Sequence, residues 1–245
     1  MRSGARALLW PAVATALAFA LLVSLGAWQV RRLGEKEALI ARVEARARAP
    51  AQPLPERSQW AATPSADYEF THVQARGRYL QGRDALIFMK APEGFGLEPG
   101  YMVATPFALS SGGALLVERG FVPASRVEDA AGRAPPSGEV EISGLLRAPQ
   151  ARNMFTPADA PERRIWYTRD PAAVAATLGL AEAAPFALTL EGPSSAGTNG
   201  FPRLVATAPE FPNNHLSYAF TWFSLAAALL VIFALFARGR LGRDA

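Results

Sequence analysis

The sequence predicts a membrane protein in which two transmembrane α-helices, N- and C-terminal, flank a β-rich α+β domain, sandwich or barrel-like, held outside the cytoplasm. Three observations predict it. Two long uncharged runs, Leu8–Val30 and Tyr218–Phe236, stand near the termini. Between them, short strand patterns alternate with turns containing Gly and Pro. Over 245 residues, hydrophobic residues make up 50% and charged residues only 19%, less than the usual quarter of a soluble domain, so part of the chain lies out of water.

The first span, residues 8–30, follows a short tail, 1–7, that carries Arg2 and Arg6. At 1.5 Å per residue its helix is long enough to cross a hydrocarbon layer of roughly 30 Å. A cleaved signal peptide is the competing reading, because the two arginines resemble an n-region and Ala16-Leu17-Ala18 or Ala18-Phe19-Ala20 a cleavage site. Apolar sequence continuing to Leu25, Trp28 and Val30 favours the span. Ala12, Ala16, Ala20 and Ser24 recur every four positions and predict a stripe on which another helix packs closely.

Residues 31–55 extend this helix as a charged rod and close it with Pro50, Pro53 and Pro55. A β-rich domain, 56–212, follows. Strands are expected at 70–79, 85–90, 101–109, 114–119, 140–147, 165–168 and 186–191. One helix interrupts them, with Asp170 as N-cap, Pro171 at its first position and Gly179 as its stop. Turn formers crowd the loops 93–100, 129–138 and 192–200, which are expected to be mobile. Residues 213–217 cap the second span, 218–236, through Asn213 or Asn214. Tyr218 and Trp222, like Trp10 and Trp28 of the first span, suit a membrane–water boundary. The last segment, 237–245, carries Arg238, Arg240 and Arg243.

Two spans put both ends of the chain on one side, and the arginines of the short tails assign that side to the cytoplasm. Arg31, Arg32 and Lys36 lie beyond the first span, but a segment as long as the one they open is exported largely regardless of charge. The whole net charge of +4 belongs to the tails, and residues 31–236 are neutral. The pI near 9.8 is therefore a property of the two tails and does not point to a nucleic-acid binder, which concentrates basic residues on its folded domain.

The absence of cysteine excludes disulfides, thiolate catalysis, iron–sulfur ligation and thiolate copper transfer. With two histidines, a multi-histidine metal site cannot be built. The glycines at 94, 96 and 100 lack dinucleotide-binding spacing, and no phosphate-binding loop or nucleophile elbow occurs. His72, flanked by Thr71 and Val73, reads as a hydrogen-bonded sheet histidine. His215 stands at the outer mouth of the second span, with Tyr218, Ala219, Trp222 and Ala226 following on its own helical face. It reads either as a polar interfacial residue that starts the helix or as an axial ligand to haem iron, for which imidazole is common. In an antiparallel pair of spans Trp28, Arg31 and Arg32 emerge at the same membrane face, where a guanidinium matches a haem propionate.

The flanking segments Leu25-Gly26-x-Trp28-Gln29-x-x-Arg32-x-x-x-Lys36 and Asn214-His215-Leu216-x-Tyr218-x-x-Thr221-Trp222-Phe223 resemble the two membrane signatures of the Surfeit-locus-one family of cytochrome c oxidase assembly factors. Between them, Val103-x-Thr105-Pro106-Phe107, Val117-x-Arg119-Gly120-Phe121-Val122-Pro123 and Trp166-Tyr167-x-Arg169-Asp170 follow that family's order. Glu118 departs from it, standing where an asparagine is frequent, and the glycine-rich stretch before Phe201 matches loosely. The resemblance implies a non-enzymatic assembly protein that handles haem a during its insertion into oxidase subunit I, with His215 at the position that meets haem. The haem a synthase is a second partner in this picture. Tyr218, Trp222, Trp28, Arg31 and Arg32 complete the expected site. Since seven residues precede the first span, a bacterial inner membrane with a periplasmic domain is expected rather than a mitochondrial import route. A two-span protein with an extracytoplasmic ligand-sensing or hydrolase domain is the alternative.

Overall fold

A computed structural model of the chain describes residues 3–192, 200–205 and 213–241. The interior of the 192–200 loop, the end of the expected β domain after residue 205, and Arg2 and Arg243 lie outside the described residues. The chain divides into two units, Met1–Arg42 with Glu210–Ala245, and Val43–Pro209.

In the first unit, α1 (Ser3–Ala47) carries the uncharged run and continues unbroken through the charged extension. That extension is laced by an i,i+3 pair, Arg32 to Glu35 at 2.6 Å, and ends before Pro50, which has no N–H to continue a helix. The second apolar helix of this unit begins at His215 and ends at Leu241. Both helices are long and apolar enough to cross a membrane. Gly26 of α1 lies against the ring of Phe223, and Gln29 lies against His215, so three residues forward on one helix meet eight residues back on the other. The two helices therefore run antiparallel.

Their seam differs from the expected stripe. Ala16, Ala20 and Ser24 are exposed, and the Ser24 hydroxyl donates to its own helix at the Leu21 carbonyl, 2.7 Å away. The less exposed positions are instead Thr15, Phe19, Leu22, Gly26, Gln29 and Leu33 on α1, and His215, Ala219, Trp222, Ala226 and Leu229 on the partner helix. The physical reason is angular. A strict four-residue repeat drifts around a helix of 3.6 residues per turn, whereas steps alternating between three and four stay on one line.

The second unit is built around a closed five-stranded barrel. Its strands are β1 (Gln52–Pro53), β2 (His72–Tyr79), β3 (Ala85–Met89), β4 (Gly100–Leu109), β5 (Ala114–Pro123), β6 (Val140–Arg147), β7 (Ile165–Trp166) and β8 (Ala183–Glu191). The sheet runs β1-β2-β6-β8-β5-β4-β3-β7, and a further pairing of β2 with β4 closes β2, β6, β8, β5 and β4 on themselves. Of the sandwich and the barrel, the structure selects the barrel. Closure passes through Gly77, paired with Leu109, where a side chain would collide with the Ala108 carbonyl. β5 is paired parallel to β8, and the other barrel pairs are antiparallel.

All seven expected strands form, with shifted ends. β5 runs on to Pro123 because its ladder with β4 continues to Gly100, and on its other side Phe121 exchanges two backbone hydrogen bonds with Arg203, at 2.8 and 2.9 Å. Gly120, at φ +140°, is what lets Arg203 approach, since a Cβ there would strike its carbonyl. The short β1 was not legible in the sequence. Its two residues include Pro53, a residue confined to sheet edges, and it adds to the outer edge of β2.

Strand alternation decides what fills the barrel. β2 turns Val73, Ala75 and Tyr79 inward and His72, Gln74, Arg76 and Arg78 outward. Phe107, Leu115, Val117, Ile142, Leu146, Phe186 and Leu188 complete the interior, with edge-on contacts of Trp60 and Tyr68 to Phe186 at 5.9 and 5.0 Å. The four-residue helix α2 (Arg57–Trp60) supplies Trp60, whose indole N–H donates to the Pro55 carbonyl at 2.9 Å. A second core lies outside the barrel, where Val174 of α3 (Pro171–Leu178) packs with Ile87, Leu116, Trp166 and Ala187. α3 is capped as expected: Asp170 accepts from the Ala173 N–H at 2.9 Å, and Gly179, at φ +62°, ends it. The last helix, already described, is α4 (His215–Leu241).

Among the charged groups buried in this unit, two neighbours on β5 have defined partners. Glu118, 1% exposed, receives both Nε and Nη2 of Arg169 and the Thr189 hydroxyl at 2.6 Å. Arg119, on the opposite face of β5, donates to the Arg133 carbonyl at 2.9 Å beside the Tyr79 ring. Burial alone would push the Glu118 carboxyl up, but Arg169 and the two hydrogen-bond donors outweigh it and hold the carboxyl below its ordinary 4.5. The pair therefore stabilises the fold above pH 4.5, the unfolded value, and that contribution is lost as pH falls through the lower folded value. Glu118→Gln, which strands Arg169 without a counter-charge, should cost about 3 kcal/mol at neutral pH and flatten the loss of stability on acidification, measured by urea unfolding across pH. A mutant as acid-sensitive as wild type would contradict the pairing. Tyr79 gives the converse case. Its hydroxyl is buried with no hydrogen-bond partner among the described residues, and burial raises it to about 12 against the pull of Arg119. Tyr79→Phe should leave stability unchanged or raise it by up to about 1 kcal/mol in the same assay.

Candidate functional site

α1 and α4 bring together one polar pair in an otherwise apolar seam. His215 opens α4, its N–H received by the Asn213 side chain at 3.4 Å, and the Tyr218 N–H bonds the Asn214 carbonyl at 3.1 Å to start the helix. Its Nδ1 lies 2.7 Å from Oε1 of Gln29, which is only 8% exposed. An amide oxygen accepts and cannot donate, so Nδ1 carries the proton. Nε2 of the half-buried ring has no hydrogen-bond partner among the described residues. Ala219 and Ala226, both buried, and Gly26 keep the seam thin next to this pair. A Cβ at Gly26 would come within 2.7 Å of the Phe223 ring.

The other expected residues surround this pair unequally. Trp222 is half-buried in the seam, whereas Tyr218, in the first turn of α4, is 56% exposed and Trp28, within α1, 46% exposed. Arg32 is committed to Glu35. Arg31 is exposed and makes no ion pair among the described residues. Chemically, the arrangement offers an imidazole nitrogen, Nε2, two exposed aromatic surfaces and a guanidinium, that of Arg31, without an ion pair among the described residues.

Gln29 is the residue that sequence reading left without a role. A polar side chain three positions from a glycine, on the seam of a membrane-depth helix, is the signal that marks it.

His72 is the hydrogen-bonded sheet histidine that was expected. Its Nδ1 donates to the Ala49 carbonyl at 2.8 Å, and its Nε2 lies 2.9 Å from the Ser143 hydroxyl and 3.2 Å from a Glu191 carboxylate oxygen. Ser143 sits within β6 between Gln74 of β2 and Glu191 of β8, where backbone N–H groups are spent on the sheet ladders. Among the described residues, a serine so placed has no free backbone donors beside it to form an oxyanion hole.

A closed barrel joined in one chain to two apolar helices, with an imidazole held between those helices, defines a class of two-span membrane protein with a β-barrel domain. Residues 16–227 match the SURF1 family model, and the chain belongs to that family. It is 32% identical over 219 residues to Surfeit locus protein 1 of Rattus norvegicus, covering 83% of this chain and 68% of the relative. Against the Homo sapiens protein of the same name it is 33% identical over 236 residues, covering 89% and 75%. A SURF1-like protein of Rickettsia felis is 28% identical over 223 residues, covering 91% of this chain and 94% of its own length. The family match, residues 16–227, spans the barrel strands and reaches into both long helices.

Proposed function

We propose that this chain is a non-enzymatic assembly factor for haem–copper cytochrome c oxidase, which holds haem a as cargo beside His215 during delivery to oxidase subunit I. The observation that carries the reading is Nε2 of His215, without a hydrogen-bond partner among the described residues, on a histidine whose other nitrogen is already committed, in a chain of the SURF1 family. Haem a is a flat, apolar molecule with an iron that takes imidazole and two anionic propionates. The residues suit each part. Nε2 supplies the ligand, Trp28, Tyr218 and Trp222 supply aromatic surface, and Arg31 supplies the forked cation, Arg32 being held by Glu35.

In this reading α1 and α4 lie in a bacterial inner membrane with the chain ends in the cytoplasm, and the barrel domain in the periplasm docks on subunit I or on the haem a synthase. The arginines outside the two spans support that orientation.

Deletion in the host followed by reduced-minus-oxidised spectroscopy of its membranes tests the function. The expected result is loss of the haem a signal with subunit I protein still present, restored by the wild-type chain and poorly by His215→Ala. An undiminished haem a signal in the deletion strain would refute it. For the purified chain, Arg31→Ala should weaken haem a binding several-fold more than Arg32→Ala, read by optical titration; the reverse order would remove Arg31 from the site.

A further inference from the structure

Neutral histidine free in water keeps its proton mostly on Nε2, the nitrogen that would have to meet iron here. His215 is held the other way. Its only hydrogen-bond partner among the described ring contacts is Oε1 of Gln29, 2.7 Å from Nδ1, and that oxygen has no proton to give. Gln29 cannot easily turn aside. It is 8% exposed, on the same helical line as Gly26, whose missing side chain lets the Phe223 ring close on α1 one turn away. In apolar surroundings an unmet amide oxygen and an unmet imidazole N–H would each carry the cost of a buried polar group, so the pair holds itself together.

We propose that Gln29 is the positioning residue of His215: by accepting the Nδ1 hydrogen bond it fixes the tautomer and the ring plane, leaving the Nε2 lone pair as the nitrogen presented to iron. The iron-facing half of this inference rests on the haem-handling reading above. The tautomer half does not. A hydrogen-bonded second nitrogen is the general means by which a metal-binding imidazole is oriented and made more basic, and loss of such a partner typically costs about 10–100-fold in affinity.

The experiment uses the full chain in lipid nanodiscs, labelled with 15N-histidine, at a pH above the ordinary histidine value of about 6.5. The chain has two histidines, so His215→Ala assigns the signals. The expected spectrum shows His215 protonated on Nδ1 and bare on Nε2. In Gln29→Leu, an apolar replacement that a membrane helix accepts, the Nε2-protonated form should appear, and optical titration with haem a should show binding weakened about 10–100-fold. Gln29→Glu, which keeps an acceptor, should recover the wild-type tautomer and most of the binding. Nε2 protonation of His215 in the wild type, or an unaltered tautomer in Gln29→Leu, would overturn the positioning role. Haem a binding lost in His215→Ala but kept in Gln29→Leu would overturn it while sparing the haem reading. Binding unmoved by both variants, with the tautomer shift observed, would instead overturn the haem reading and with it the iron-facing half of the proposal.

Discussion

Apolar helices in a bilayer can slide and rotate against one another at little cost, because lipid tails satisfy their side chains as well as a partner does. A buried polar pair removes that freedom. Moving α1 along α4 by a single turn would separate Gln29 from His215 and leave an amide oxygen and an imidazole N–H unmet in a medium that offers no water. The close approach of Gly26 to Phe223 adds a steric key one turn away. Together these two contacts set register, and register is what gives the imidazole, the flanking aromatic rings and Arg31 a common place. Every functional statement about the helix pair depends on it.

The barrel domain uses the same logic in a different solvent. β5 carries Glu118 on one face and Arg119 on the other, and both are buried. Each is made tolerable by a partner outside its strand: Arg169, just before α3, for the carboxylate, and the Arg133 carbonyl, fourteen positions on, for the guanidinium. The motif residues of the central segment thus read as structural supports. Arg169 is a counter-charge, Asp170 a helix cap, and Gly120 a gap for the Arg203 backbone. Glu118 fits the same geometry, since the carboxylate meets two Arg169 nitrogens and a threonine hydroxyl at once.

The elements most open to sequence reading were those whose signal is local. Asp170, Pro171 and Gly179 announce a helix through caps and fixed dihedral angles, and the alternation along β2 declares which face is wet. Long uncharged runs declare their solvent. What could not be read was set by partners far away in sequence. Barrel closure depends on β2 meeting β4, which no periodicity encodes. The seam of α1 was misplaced because the alanine stripe is a property of one helix, whereas the seam is chosen by what α4 offers, His215 and Phe223 above all. Gln29 was visible as a motif residue and silent as to role until its hydrogen bond was seen. The extension of β5 to Pro123 followed from its ladder with β4, and the bridge from Phe121 to Arg203, some eighty positions later, was equally silent in the sequence.

The absence of native cysteine makes the central claim directly measurable. In native membranes, the double variant Gln29→Cys, His215→Cys should be joined by a short bis-maleimide, detected as two fragments that stay linked after cleavage at a protease site inserted between β8 and α4. The control pair Trp10→Cys, His215→Cys places its thiols at opposite ends of the helix pair, roughly 28 Å apart at 1.5 Å per residue, and should not be joined. Efficient linking of the first pair alone is the predicted result; linking of the control pair, or failure of the first in protein that is inserted and reactive at both sites, would contradict the helix register on which the account stands.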